Sequence, residues 1–347
     1  MNNKGNNIKN YNIFNNLLKL KIFRLLNNII KLYQILRFKN IIKYYKLFLF
    51  IIFQLFIYFS YKYKYLFLKI SLCTMGKQEN LYVKEFINYY RKLGIDKIYI
   101  YDDNDFNTEK INDIIYPLTK NFVKVYENIK FKIKNQSDAF TDCYNKNKNK
   151  FDWFLMVDMD EFLVIVNDSL KNYLLNPVFK KCDFIKIHWV IPSDNNLLYY
   201  DNRSLFERFK GPYKKSTIIK SLIKGNINNL KYWVHSPYYS PKRNNTCNNI
   251  GNIIRYKNIN FEAIKSINIK KAYIVHFLYK STEEFIKKYK RGYSNWFGKR
   301  LNKWLKSKIR NYFRDNQISK EKIEYFEKEL NVNLSYYKIK KNNNYNY

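Results

Sequence analysis

Apolar residues along the chain fall into short runs separated by amphipathic stretches. The run Trp-Phe-Leu-Met-Val at 153–157 is unbroken and of strand length. Such a run suits a strand buried on both faces, as in a mostly parallel sheet. It stops at Asp158-Met159-Asp160-Glu161, and the chain turns apolar again at Phe162-Leu-Val-Ile-Val. Upstream, 70–74 predicts a first strand. Leu81, Phe86, Ile87 and Tyr90 then recur at helical spacing, predicting a helix over 80–93 that Gly94 ends. A second strand over 97–101 runs into Asp102-Asp103-Asn104-Asp105. A helix at 109–118, a strand at 122–126 and a helix at 136–144 lead to the central strand at 153. Strands alternating with helices predict an α/β fold with right-handed crossovers.

Open α/β sheets bind ligands at the carboxyl ends of their strands. The pattern therefore delivers Asp158 and Asp160 to a binding edge, both pointing one way with Met159 facing inward. Two carboxylates there form a hard-oxygen site, suited to a divalent ion that also takes phosphate oxygens. A solvated acidic loop would read the same as a tripeptide. The buried strand before it and the immediate return to apolar residues favour the site.

After this motif the pattern becomes mixed. Ser169 caps a short helix ending at Asn176-Pro177, and 184–190 predicts a strand ending in His188 and Trp189. A strand-like stretch at 217–223 and an apolar strand at 272–277 carrying His276 follow. Ser281-Thr282-Glu283-Glu284 is a capping box for a helix to about 291, and charged helices fill 297–330. The expected organisation is a basic extension over 1–68, a catalytic domain over 69–296, C-terminal helices over 297–335 and a disordered tail over 336–347.

The formal net charge is +36, which points towards nucleic acid as an alternative. However, Lys, Asn, Ile, Tyr and Phe saturate every segment, so the charge reads as a compositional bias and not as a basic patch. No nucleic-acid partner is expected. The first acid is Glu79. The stretch before it contains an apolar run at 44–61 flanked by lysines, read as a short membrane anchor with a basic cytoplasmic tail. The alternatives are a basic helix lying on a membrane, with the chain cytoplasmic and peripheral, and a helical extension of the domain. The four cysteines are far apart and lack metal-ligand spacing, so buried free thiols are expected.

Cys73-Thr-Met-Gly-Lys-Gln-Glu-Asn80, Gly94-Ile-Asp96 with Ile98-Tyr-Ile-Tyr-Asp102, and Asp152-Trp153 with Asp158-Met-Asp-Glu-Phe162 together resemble the glycosyltransferase family 2-like and family 92 proteins. Arg208-Phe209, Lys220-Ser221, His235-Ser-Pro237, His276-Phe277 and Lys280-Ser281 fit the same group. The resemblance implies a GT-A-type α/β fold and metal-assisted transfer of a sugar from a nucleotide-diphosphate donor, such as a UDP-sugar, to a glycan or other hydroxyl acceptor. Asp158 and Asp160 match the Asp-x-Asp motif, with Mn2+ or Mg2+ on the donor diphosphate, and His276 matches a C-terminal histidine of the metal site.

By the same resemblance, Lys77 and Glu79 lie beside the base and ribose. Asp102 and Asp103 either accept bonds from uracil or ribose or form a solvated turn. Gln136, Ala139 and Asp142 share a helical face next to the donor sugar, with an exposed helix start as the other reading of Gln136. An inverting transfer is implied, which needs a general base. Asp194 is the favoured candidate. Glu207 is the second, unless it only pairs with Arg208, and Trp189 is placed to stack on a sugar. A nuclease or phosphotransferase using the same carboxylates would need more acidic ligands than the segment offers.

Overall fold

The computed structural model describes residues 41–115, 121–127, 129, 133–239, 245–254, 263–291 and 300–334, with Arg24, Asn27, Asn28, Ile30 and Lys31 before them. The expectation of a disordered tail over 336–347 lies outside the described residues. The chain divides into two units, Met1–Lys64 and Tyr65–Tyr347. Helix α1 (Ile41–Phe67) accounts for most of what is described of the first. Its stretch Leu47–Phe67 is long and apolar enough to cross a membrane, and none of it is buried.

The second unit is built on β1 (Ile70–Gly76), α2 (Val83–Leu93), β2 (Lys97–Asp102), α3 (Ile111–Ile115), β3 (Val123–Tyr126), α4 (Gln136–Asn147) and β4 (Trp153–Met156). These four strands are parallel neighbours in the order β3-β2-β1-β4. Strand β4 is buried at every position, as its unbroken apolar run requires. Helix α2 ends where Gly94 adopts φ +96, a left-handed cap that glycine reaches without a Cβ clash.

The chain continues through β5 (Glu161–Ile165), α5 (Leu170–Leu175), β6 (Phe184–Pro192), α6 (Leu205–Arg208), β7 (Tyr213–Lys224), β8 (Lys231–Tyr232) and β9 (Pro237–Tyr239), which form a separate two-stranded sheet, then β10 (Thr246–Asn248) and β11 (Ala272–His276). The full order is β3-β2-β1-β4-β7-β6-β11-β5, with β10 beside β6. Strand β7 runs antiparallel to β4 and β6, and β5 runs antiparallel to β11; the other pairings are parallel. The α/β class and the mostly parallel sheet are therefore those expected.

Helices α7 (Thr282–Lys290), α8 (Arg300–Asp315) and α9 (Lys320–Leu330) close the unit. Ile309, Tyr312, Phe313 and Phe326 share one buried core with Phe162, Ile274 and Phe285. Asp194 on the strand side and Lys322 in α9 form an ion pair at 2.6 Å, with both side chains 1% exposed.

The free thiols expected from spacing are not there. Cys73 pairs with Cys143 and Cys182 with Cys247. The first disulfide ties β1 to α4, and the second ties the lead-in to β6 to β10. A crosslink closing a loop of 70 residues restricts the unfolded chain. Replacing Cys73 and Cys143 by alanine is expected to lower stability by about 2–4 kcal/mol in urea unfolding. In the native protein, a maleimide should label no cysteine until a reductant is added.

Candidate functional site

A cavity of about 670 Å³ opens along the carboxyl ends of the parallel strands. The loop from β4 to β5 delivers Asp158, Met159 and Asp160 to it. Met159 is 1% exposed, and it packs so close to the end of β1 that a Cβ on Gly76 would lie 2.7 Å from its sulfur. A side chain at 76 would thus push the end of the Met159 side chain out of the place it fills. The register of β11 against β5 sets His276 opposite Glu161, and the Phe277 amide donates to the Asp160 carbonyl at 2.9 Å. Sheet pairing therefore brings a histidine 116 positions downstream of Asp160 to the same turn.

Each acid of the motif has its own cation. Lys220 of β7 donates to Asp158 Oδ1 at 2.9 Å and lies 3.5 Å from Glu161 Oε2, while the Gln136 amide donates to the same Asp158 oxygen. Lys288 of α7 donates to Asp160 Oδ2 at 2.6 Å. Burial works to raise the Asp160 carboxyl, but Lys288 and His276 outweigh it and hold it well below the usual carboxylate range. Lys220 is wholly buried; desolvation pulls its pKa down, and Asp158 and Glu161 carry it above its ordinary value. Burial and the neighbouring Asp158 charge push Glu161 well up, against Lys220.

His276 Nε2 is 3.5 Å from Asp160 Oδ1, and Nδ1 is 3.9 Å from Glu161 Oε1. Neither ring nitrogen makes a hydrogen bond, and both are buried. Burial lowers the His276 pKa despite Asp160. Trp189 packs edge-on against His276 at 4.2 Å and against His235 at 5.1 Å between ring centroids. It borders the cavity but is 5% exposed, so it braces the histidines more than it offers a face to a sugar. His188 is buried elsewhere, its ring facing the backbone of Ile264 and Asn268.

The nucleotide-side candidates divide. Lys77, Glu79, Asp103 and Gln136 border the cavity. Glu79 is tied to Lys280 at 3.0 Å and to Arg291, which also donates to the Lys77 and Gln78 carbonyls and so straps the β1 loop to α7. Asp102 instead accepts from the Asn104 and Ile111 amides at 2.9 and 2.8 Å. It staples the turn into α3 and does not border the cavity. Asp142 accepts from the Tyr101 hydroxyl and Lys146, both at 2.6 Å, and also lies off the cavity lining.

The two expected general bases are corrected by their surroundings. Asp194 is buried under the Tyr312 hydroxyl and Lys322, where it holds the C-terminal helices. Glu207 is exposed and completes a capping box with Ser204. Neither borders the cavity. Asp315 of α8 does, on the β7 side, but it is held by Arg314, Lys214 and Tyr279, whose hydrogen bonds overcome burial and bring it to about 2. That makes it a poor proton acceptor.

Lys288 had no distinguishing mark in a chain with 64 Lys and Arg residues, and Lys220 stood out only within the Lys220-Ser221 pair, without a role. Among the described residues, no three His, Cys, Asp or Glu side chains are gathered as a ready metal cluster. What stands closest to one is the Asp160–His276 pair.

Residues 67–334 match glycosyltransferase family 92. A family 92 protein of Oryza sativa subsp. japonica is 25% identical over 111 residues, covering 30% of this chain and 19% of the relative. One of Arabidopsis thaliana is 29% identical over 94 residues, covering 27% and 16%. The chain thus spans less than a fifth of the length of these relatives. Among solved structures, mannosyl-3-phosphoglycerate synthase from Rubrobacter xylanophilus is similar at 17% identity and a TM-score of 0.26, over 36% of this chain and 41% of that one. With the family match covering most of its length, this chain belongs to glycosyltransferase family 92.

Proposed function

We propose that the cavity binds a nucleotide-diphosphate sugar and that the chain transfers the sugar to a hydroxyl acceptor with the help of a divalent cation. The observation that carries this reading is the meeting of Asp158, Asp160 and His276 at one strand edge, in a cavity of about 670 Å³.

The donor set fits a divalent ion at two positions. Donors about 2.1 Å from one ion, at angles between square and tetrahedral, lie about 3.0–3.4 Å apart. Asp160 Oδ1 and His276 Nε2 are 3.5 Å apart, and Nε2 has no other partner. Asp160 and His276 would hold the ion, and Mn2+ or Mg2+ there would neutralise charge developing on the departing diphosphate. Asp158, engaged by Lys220 and Gln136, reads as a residue that orients the donor. Lys288 and Arg291 place two further cations along the cavity, matched to an anionic leaving group. Lys77, Glu79 and Asp103 line its β1–β2 flank, where base and ribose would sit.

The test is a panel of UDP- and GDP-sugars, with and without Mn2+, scored by thermal unfolding and by donor hydrolysis. At least one donor should raise the unfolding temperature only when Mn2+ is present. A panel without any metal-dependent shift or turnover would sink the reading.

The disulfides bear on location. Disulfides persist in oxidising compartments. Leu47–Phe67 is long enough to cross a membrane, and the acid-free basic stretch before it would be held on the cytoplasmic side. In this reading the chain after the helix faces a lumen or the exterior.

A further inference from the structure

The β7 side of the cavity, across from the β1–β2 flank, is built from three elements. The turn between β8 and β9 brings Trp233 to it, 48% exposed. The start of β7 brings Lys214 and Lys215, and α8 brings Lys308 and Arg314. Among the described residues, Asp315 is the one acid beside them. We infer that this side binds an anionic oligosaccharide, with Trp233 stacking on a sugar ring and the four cations meeting its acidic groups. This rests on the reading of the cavity as a sugar-transfer site, in which the oligosaccharide is the acceptor.

The tryptophan is held as a platform. Lys220 of β7 donates to the Val234 carbonyl at 3.0 Å, and the Ser221 and Tyr232 hydroxyls donate to the His235 carbonyl at 3.2 and 3.0 Å. The Trp233 amide closes the turn on the Ser236 carbonyl at 2.8 Å. Lys220, Ser221 and Tyr232 are wholly buried, so the turn is fixed from beneath. About half of Trp233 stays open all the same. A large apolar side chain left open on a rigid support within a cavity marks a binding face. One face of a sugar ring is lined with C–H groups and suits a flat aromatic surface, while its polar groups reach past the ring.

The charge on this side is local. Helix α8 carries six Lys and Arg with one acid, whereas α9, which follows it, carries three Lys and four Glu. A uniform lysine bias would treat the two helices alike. Asp315 is engaged by Lys214 and by Arg314 at 2.9 Å, so the single acid is shared and the cations are in excess. Burial, and then the like charge of Lys288, pull the Lys308 pKa down. An anionic group beside Lys308 would offset both effects. Lys214, which reaches α8, and Lys220, which holds the Trp233 turn, are six positions apart on one strand. That is about 20 Å of β7, a length that takes several sugar rings and not one.

Calorimetric titration of the full chain, in an uncharged polyoxyethylene detergent at low salt, tests the inference. It is run without and with UDP and Mn2+. Tetragalacturonate should bind at least about 10-fold more tightly than neutral cellotetraose, and than tetraglutamate, which carries charge without sugar. Trp233→Ala should weaken it about 10-fold, and Lys215→Gln with Lys308→Gln together by about as much. Lys84→Gln, at an exposed position of α2, should leave the affinity unchanged. Cellotetraose or tetraglutamate binding as tightly as tetragalacturonate, or native affinity in the Trp233→Ala chain, would overturn the inference. If tetragalacturonate binds as expected but no donor gives a metal-dependent shift, the oligosaccharide site stands and the donor reading falls. A donor shift without any oligosaccharide binding does the reverse.

Discussion

Asp160→Ala is expected to reduce metal-dependent donor turnover by about 1,000-fold, with a smaller effect on folding. A bound cation contributes several kcal/mol to charge stabilisation at a leaving oxygen, and each 1.36 kcal/mol is about tenfold in rate. Asp160 is the better of the two aspartates for this test. Its side chain is 4% exposed and lies against His276, whereas Asp158 keeps 27% exposed and is spoken for by Lys220 and Gln136. Removing Asp160 also frees Lys288, which is 15% exposed at its side chain and can swing towards the cavity. The fold should therefore tolerate the change, as circular dichroism and the unfolding midpoint would show. Asp158→Ala should cost less in Mn2+ affinity and more in donor KM. Turnover of Asp160→Ala within about tenfold of the native rate would mean that the pair does not hold the ion.

The features legible in the sequence were those set by neighbours along the chain. The apolar run at 153–157 could only be a doubly buried strand, and the acids that follow could not stay in a core, so the sheet edge was readable. Gly94 ended its helix as read. Illegible were the partners supplied from far away. Cys73 and Cys143 are 70 positions apart, and spacing carries no trace of their pairing. Asp194 looked like a free acid after the motif because Lys322, which neutralises it, lies 128 positions on. Lys288 vanished into a lysine-rich background, and Lys220 was noted without its partner, although the two pair with Asp160 and Asp158. Glu161 was read only as the end of the acidic turn, and the β5–β11 register shows that it is paired opposite a histidine.

Arg208→Ala is expected to lower stability by about 3–5 kcal/mol, the largest loss foreseen for a single side chain outside the cavity. Arg208 is 1% exposed at its side chain, and it meets Glu284 in a two-pronged pair at 2.7 and 3.2 Å. The Tyr82 hydroxyl also donates to Glu284, and burial together with that carboxylate pushes the tyrosine pKa far up. Glu284 is itself the capping-box acid of α7. Truncating the arginine would leave a carboxylate with its charge uncompensated in the interior, which is where the cost comes from. The double change Arg208→Met with Glu284→Leu removes both charges and should recover much of the loss, because a buried ion pair is often matched by apolar side chains of similar size. The cycle of single and double variants, followed by urea unfolding, reports the coupling directly. The pair also reaches function. It anchors the first turn of the helix that carries Lys288 to Asp160, and Arg291 follows at that helix's end to strap the β1 loop. Loosening α7 should thus raise donor KM in the folded fraction of Arg208→Ala, while Arg208→Met with Glu284→Leu regains stability ahead of KM. Equal stability of Arg208→Ala and the native chain would show that Glu284 finds another cation.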